Sequence, residues 1–411
     1  MQKRKVILRA PVLTRSGYGE QSRFALRSLR SQEDQFDIYI QPLEWGKTSW
    51  VSEMDEEREW IDSTIEKTIA YIQSGGTFDI SVQVTIPNEW EPIAQFNVGY
   101  TAGIETTRVS HEWIQKANEM DSIIVVSNHS KFVYENTVYD AVNTETNEKV
   151  ELKLNKEITT VNYPVKEFDN LKPLDLQLDY DFNFLTVAQM GPRKNLENTI
   201  RWFMQEFKDD EVGLVVKTNV AKNCQIDREI AHGQMLNLIR QPEFQDRKCK
   251  VYLLHGDMTD QEMHEIYLNP KIKASVSLTH GEGFGLPLFE SAYMGIPVVA
   301  TDWSGQLDFL TNEDLDINFY NVSFDLHPVP ESSEWEGVIV KGSMWSYPRE
   351  ASAKAKMRQC YEEVLAGTDK ACQYAKELKE RFSDTKMYAA FVEGMKLPEM
   401  VVPESELVEF E

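Results

Sequence analysis

The sequence predicts an α/β protein of two doubly wound domains, each a parallel sheet with helices packed against it. Two observations carry this reading. The 411 residues suit two domains of roughly 100–200 residues each. A strand, a glycine turn and a helix also follow one another twice, near residues 6–30 and near 275–294, and that is the opening unit of such a domain.

Composition narrows the class. Hydrophobic residues make up 41% and aromatics 11%, as in an ordinary globular protein able to bury two cores. No apolar run approaches the ~20 residues of a membrane span. The basic start MQKRKVILRAPVL lacks a long apolar region and a small-residue cleavage site, so no signal peptide is expected and the cytoplasm is the expected location. Cys224, Cys249, Cys360 and Cys372 show no CxxC spacing and read as reduced thiols without a zinc pattern. The net charge of −24 disfavours non-specific binding to DNA or anionic membrane. Residues 1–30 run the other way, with eight basic side chains against Glu20 alone.

Taken in order, residues 6–8 form a short buried-type strand that leads into Arg15-Ser16-Gly17-Tyr18-Gly19-Glu20 and a helix to about Arg30. Arg23, Arg27 and Arg30 share one face of that helix. They read as a solvated surface or as a landing strip for an anionic acceptor. Residues 53–72 form a second helix, with Ile61, Ile65, Ile69 and Ile72 as its apolar stripe and acids at its start to suit the dipole. Strands are expected over 78–84, 97–101 and 122–127. In a parallel sheet the loop after a strand is where ligands bind, which makes Glu105 a candidate. His111 reads either as a helix-start histidine or as a ligand. Residues 143–160 read as an edge hairpin.

The first domain is expected to span 1–165, joined by a C-terminal helix at about 375–400, and the second 166–374. In the second domain, strands are expected over 182–187, 212–216 and 251–254, with a helix from 196 to 207. Lys217 closes one strand, within reach of a phosphate, and His255-Gly256-Asp257 follows another. Residues 321–350 read as loop, 351 to about 394 as helix, and 404–411 as an acidic tail.

The richest stretch is 275–302, SVSLTHGEGFGLPLFESAYMGIPVVATD. A short strand runs into Gly281, Gly283 and Gly285, which mark special backbone conformations or close approach. A helix follows, with Pro287 in its first turn and Gly295 at its C-cap. A glycine turn feeding a helix N-terminus suits a phosphate. Glu282 and Glu290 bracket it, eight positions apart, and suit sugar hydroxyls.

The string HGEGFGLPLFE, followed by Gly295-Ile296-Pro297-Val298-Val299-Ala300, resembles the E-x7-E signature of family 4 of the retaining GT-B glycosyltransferases, the glycosyl transferases group 1. The resemblance is tight over 182–310 and loose over 1–165. It implies two Rossmann-like domains facing a cleft, a C-terminal helix returning to the first domain, and retaining transfer of a hexosyl or pentosyl group from a nucleotide-diphosphate sugar. It assigns catalysis to Glu282, Arg193 and Lys194, the two cations facing the donor diphosphate. It assigns donor binding to Glu290, on the ribose, and to Gly283, Phe284, Gly285, Leu286, Lys217 and Gly256. Gly17, Tyr18 and Gly19, with Glu105 and His111, are implied for the acceptor or phosphate side. Gln189 departs from the pattern, standing near where many members carry another arginine. No metal and no further cofactor are expected. A saccharide is the expected acceptor, and the basic N-terminal stretch keeps open a phospholipid-linked acceptor or hydroxymethylated DNA of the phage type. A sugar-nucleotide epimerase and a non-catalytic sugar-nucleotide-binding protein are the rival classes.

Overall fold

The computed structural model describes residues 3–46, 48–142, 147–312 and 314–399. The tail at 404–411 and the tip of the 143–160 hairpin lie outside them. Two six-stranded parallel sheets form the frame. The first runs Ile158–Thr160, Ser122–Val125, Phe96–Thr101, Ile80–Val84, Arg4–Ala10 and Phe36–Pro42 in spatial order. The second runs Lys250–Leu254, Gly213–Lys217, Asn183–Val187, Ile272–Ser277, Val298–Thr301 and Tyr320–Val322. Parallel strands are covered on both faces, which is why these runs are rich in β-branched and apolar residues; Val6, Leu8, Val82 and Val98 are fully buried.

Each sheet reverses its winding once, between Arg4–Ala10 and Ile80–Val84 in the first and between Asn183–Val187 and Ile272–Ser277 in the second. The loops beyond the strand ends diverge at such a point and leave a crevice. The second crevice receives the loops that carry Arg193-Lys194 and Glu282.

The two cores are continuous. Phe24 and Tyr163 of the first domain share one buried cluster with Phe284, Phe289 and Phe309 of the second, and the rings of Tyr163 and Phe284 lie 5.1 Å apart. Three helices come last among the described residues: Glu350–Ala366, Ala371–Arg381 and Asp384–Gly394. The second packs on Leu286–Tyr293 and the third on Gly17–Arg30. Phe391 brings the third to the first domain, 5.5 Å from Phe24 and 5.1 Å from Tyr100.

Three expectations change. The helix Glu56–Gln73 buries Ile61, Thr64 and Thr68, whereas Ile69 and Ile72 are about half exposed. Its inner face is partly polar because the Thr68 hydroxyl accepts from the Ile40 amide at 2.8 Å. Residues 321–350 are not simply loop: Phe324–Pro328 pairs antiparallel with Met344–Pro348.

The arginine stripe is not a free landing strip either. Arg23 donates to the Val12 and Thr14 carbonyls and to Glu20, each at 3.0 Å. Arg27 grips Glu57 with two bonds of 2.7 and 2.8 Å. Arg30 lies over the Trp60 ring at 4.4 Å and 3.6 Å from Glu33. Much of the local positive charge is spent inside the fold.

Candidate active site

A cleft of about 750 Å³ separates the domains. Its floor is the winding reversal of the second sheet. The chain leaves Asn183–Val187, and a short turn at Pro192–Lys194 points Arg193 and Lys194 at the loop after Ile272–Ser277. Lys194 donates to both carboxylate oxygens of Glu282, at 2.7 and 2.8 Å. Arg193 reaches the same carboxylate at 3.2 Å and the Gly281 carbonyl at 2.5 Å. From the first domain, Glu105 meets the other side of Arg193 at 3.1 Å. Two cations and two anions thus cross the cleft as one chain of contacts.

The electrostatics follow from these partners. Burial alone would raise the Glu282 carboxyl, but Lys194 and Arg193 overrule it and hold the group at about 2. Burial, with Arg193 adjacent, depresses the Lys194 ammonium below its usual range against the pull of Glu282. Burial would likewise lower Arg193, yet Glu105 and Glu282 raise it. Burial also lowers Lys217, whose ammonium donates to the Gly256 carbonyl at 2.7 Å. At the far end, burial raises the Glu290 carboxyl to about 7, against the pull of Lys166, while the Tyr267 hydroxyl donates to it at 3.0 Å.

The glycines do two jobs. Gly285, at φ +100°, caps the helix Leu286–Tyr293 in the left-handed region, and no side chain caps that helix start. Gly281 and Gly283 serve closeness instead. A Cβ on Gly283 would meet the Ala102 carbonyl at 2.3 Å, and one on Gly281 the Glu105 carbonyl at 2.5 Å. They let the first domain's loop touch the second domain's loop. Ser304 holds that loop from behind, accepting from the Glu282 amide at 2.9 Å.

Of the residues singled out from sequence, Gly17, Tyr18, Glu105, Arg193, Lys194, Lys217, Gly283, Phe284, Gly285, Leu286, Glu282 and Glu290 all line this cleft. Gly19 lies just behind, one position further along the helix Gly17–Arg30; its amide is capped by Ser16 at 2.9 Å. A Cβ there would sit 1.9 Å from the Thr14 carbonyl. Gly256 meets the cleft through Lys217. His111 is not brought in: it opens the helix His111–Glu119, exposed, with its ring 5.9 Å from Tyr139. His255 is a support, bonded to Asp227 at 2.8 Å.

Sequence reasoning missed several residues. Asp227 accepts from the amides of Val220, Ala221 and Lys222 at 2.7–2.9 Å and so shapes one wall. Lys166 bridges Glu20 at 2.9 Å and Asp260 at 2.7 Å, tying the domains beside Glu290. Trp45 and Trp335 also line the cleft. None of these carries a motif; only folding brings them here. Among the described residues, no group of three or more His, Cys, Asp or Glu side chains could hold a metal ion. No helix among them is long and apolar enough to cross a membrane.

Two parallel-sheet Rossmann-like domains facing a charged cleft are the GT-B glycosyltransferase fold, and solved structures agree. HepE of Anabaena, in complex with UDP and glucose, superposes with a TM-score of 0.57 at 13% identity, over 96% of this chain and 99% of that one. Sucrose-phosphate synthase of Thermosynechococcus elongatus gives 0.60 at 10% identity, over 95% and 98%. Residues 176–320 match the family Glycosyl transferases group 1. A serotype-specific mannosyltransferase, WbdA of Escherichia coli, is 30% identical over 139 residues, which is 33% of this chain and 15% of that protein. The chain thus spans about 15% of the length of that curated relative.

Proposed function

We propose that this protein is a retaining glycosyltransferase that moves a sugar from a nucleotide-diphosphate donor to an acceptor hydroxyl, with a saccharide as acceptor. The observation that carries the reading is the Glu282 carboxylate, clasped by Lys194 and Arg193 beside a helix start that no side chain caps. The Glycosyl transferases group 1 match over that stretch supports it.

The chemistry places two demands on the site. When the bond between the anomeric carbon and the diphosphate oxygen breaks, negative charge grows on the phosphate. Lys194, Arg193 and the first amides of Leu286–Tyr293 are the groups to receive it, since preorganised donors stabilise charge where it develops and a helix N-terminus favours an anion. Positive charge grows on the sugar, and Glu282, ionised at any ordinary pH, favours it. The acceptor oxygen bonds to the same carbon from the same face, and its proton passes to the leaving phosphate oxygen. Glu290 accepts from the nucleotide ribose. With two cations at the phosphate, the reaction runs without a metal.

A panel of nucleotide sugars, read by mass spectrometry of products, tests this. Release of free nucleotide and transfer of a glycosyl unit are expected for at least one donor, abolished in Glu282→Ala while nucleotide binding persists. An epimerised donor as the product would move the protein to the rival enzyme class. Activity is expected to survive exhaustive chelation; strict dependence on added manganese would overturn that part.

A further inference from the structure

The segment between Phe324–Pro328 and Met344–Pro348 starts and ends on the second domain yet is pinned to the first. The Asn88 amide donates to the Gly337 carbonyl at 3.0 Å. Val338 is 6% exposed, packed into the first domain's cluster with Trp90 and Trp113. The Met344 amide donates to the Thr107 hydroxyl at 3.1 Å. Gly337, at φ +73°, fits a gap where a Cβ would strike Glu112 at 2.5 Å. The base of this strap is fixed too, because His280, inside the glycine motif, bonds the Ser346 carbonyl at 2.7 Å and lies 4.3 Å from the Tyr347 ring.

On this pinned strap one large apolar side chain is left outside. Trp335 is 57% exposed and lines the same cleft as Glu282, Arg193 and Glu105. Its backbone is locked, with its amide and carbonyl bonded to Ile339 at 3.1 and 2.8 Å. Leaving an indole in water on a rigid loop forgoes its burial, while a rigid tryptophan offers a large contact area at little entropic cost. Tyr18 and Trp45, their rings 4.1 Å apart, line the cleft as well. A pyranose presents one face of C–H groups and a rim of hydroxyls. An indole covers the first and leaves the second free to react or to bond.

We propose that Trp335 is an acceptor-recognition residue, carried into the cleft by the 329–343 strap, and that it stacks on a ring of a saccharide acceptor. The proposal rests on the glycosyltransferase reading. The strap's docking on the first domain holds Trp335 at the cleft, among lining groups of both domains. Because the strap engages both domains, the platform exists only when they are together.

Saturation-transfer NMR on the full chain, with mannotriose and maltotriose as probes, tests the proposal without requiring turnover. At least one probe is expected to receive saturation on the C–H protons of one ring. That signal is expected to fall at least about fivefold in Trp335→Ala and to return in Trp335→Phe. Val338→Ser, which loosens the strap and leaves the indole in place, is expected to weaken it as well. An unchanged signal in Trp335→Ala, or no signal from either saccharide with the wild-type chain, overturns the proposal. Nucleotide binding by calorimetry, run on the same samples, keeps the two readings apart: loss there speaks against the donor site and not against the strap.

Discussion

Glu282 and Glu290 stand eight residues apart in one motif, and their carboxyls end at opposite extremes. Glu282 is buried, yet is held at about 2. Glu290 is pushed up to about 7. Burial opposes ionisation at both. The partners differ. Glu282 has Lys194 against both its oxygens and Arg193 beside it, the latter shared with Glu105. Glu290 has a tyrosine hydroxyl and a lysine already claimed by Glu20 and Asp260. Neighbouring charge therefore decides which acid is a fixed anion and which can titrate near neutrality. A fixed anion suits a growing cationic centre, and a titratable one suits a hydrogen bond to a hydroxyl.

The largest expected effect comes from removing what makes the two acids unlike. Lys194→Met takes away the cation closest to Glu282. Transfer is expected to fall about 10²–10³-fold, the usual loss for one preorganised charge-stabilising donor. The acid limb of the kcat profile is expected to move to higher pH as burial regains weight. A profile that stays in place would leave Arg193 as the group that sets Glu282.

Gly283→Val tests whether the acids work only with the domains together. The added side chain would press on the Ala102 carbonyl. Transfer is expected to drop about tenfold or more, since small misplacements at a reacting centre are costly, with nucleotide affinity kept. Equal loss of both would mean that the loop itself had collapsed.

Glu290→Gln sharpens the other side. Loss of a hydrogen bond from a charged acceptor, about 1.5–3 kcal/mol, should weaken donor binding roughly tenfold or more at pH 8, read by calorimetry. The difference should shrink at pH 5.5, where the wild-type carboxyl is already protonated. Stability follows with a definite sign. The folded-state carboxyl sits above its unfolded value, so its contribution is fully present below that unfolded value and is lost as pH rises through about 7. Glu290→Gln is therefore expected to gain melting temperature relative to wild type at pH 8 and not at pH 4. Glu282 runs the opposite way: its contribution is present above the ordinary carboxylate range and is lost as pH falls toward about 2.

The smallest effect on transfer is expected at Arg27, a cation outside the cleft. Arg27→Ala breaks the part-buried paired bonds to Glu57 and should cost about 1.5–3 kcal/mol of stability in chemical denaturation. Acceptor KM is expected to stay as it was. A large rise in KM would restore the arginine face as an acceptor surface.

How far the sequence reaches can be seen residue by residue. The two parallel-sheet domains were legible because buried parallel strands are written as short runs rich in β-branched and apolar residues, and because glycines punctuate the strand-to-helix turns. Glu282, Glu290, Arg193 and Lys194 were legible because they sit in contiguous strings at fixed spacing. What sequence could not show is that the arginines at 23, 27 and 30 are already partnered, because Glu57, Trp60 and the Thr14 carbonyl reach them only through the fold. Nor could it show that Gly281 and Gly283 make room for the opposite domain rather than for a phosphate alone. Lys166, Asp227 and Trp335 carry no pattern at all. The sequence by itself determined the elements and the local motif, since those depend on near neighbours along the chain. Only the tertiary structure decided the pairing of Arg193 with Glu105, the contrast between the two acids and the seating of the strap, since each joins groups that are distant in sequence and meet only when the two sheets pack.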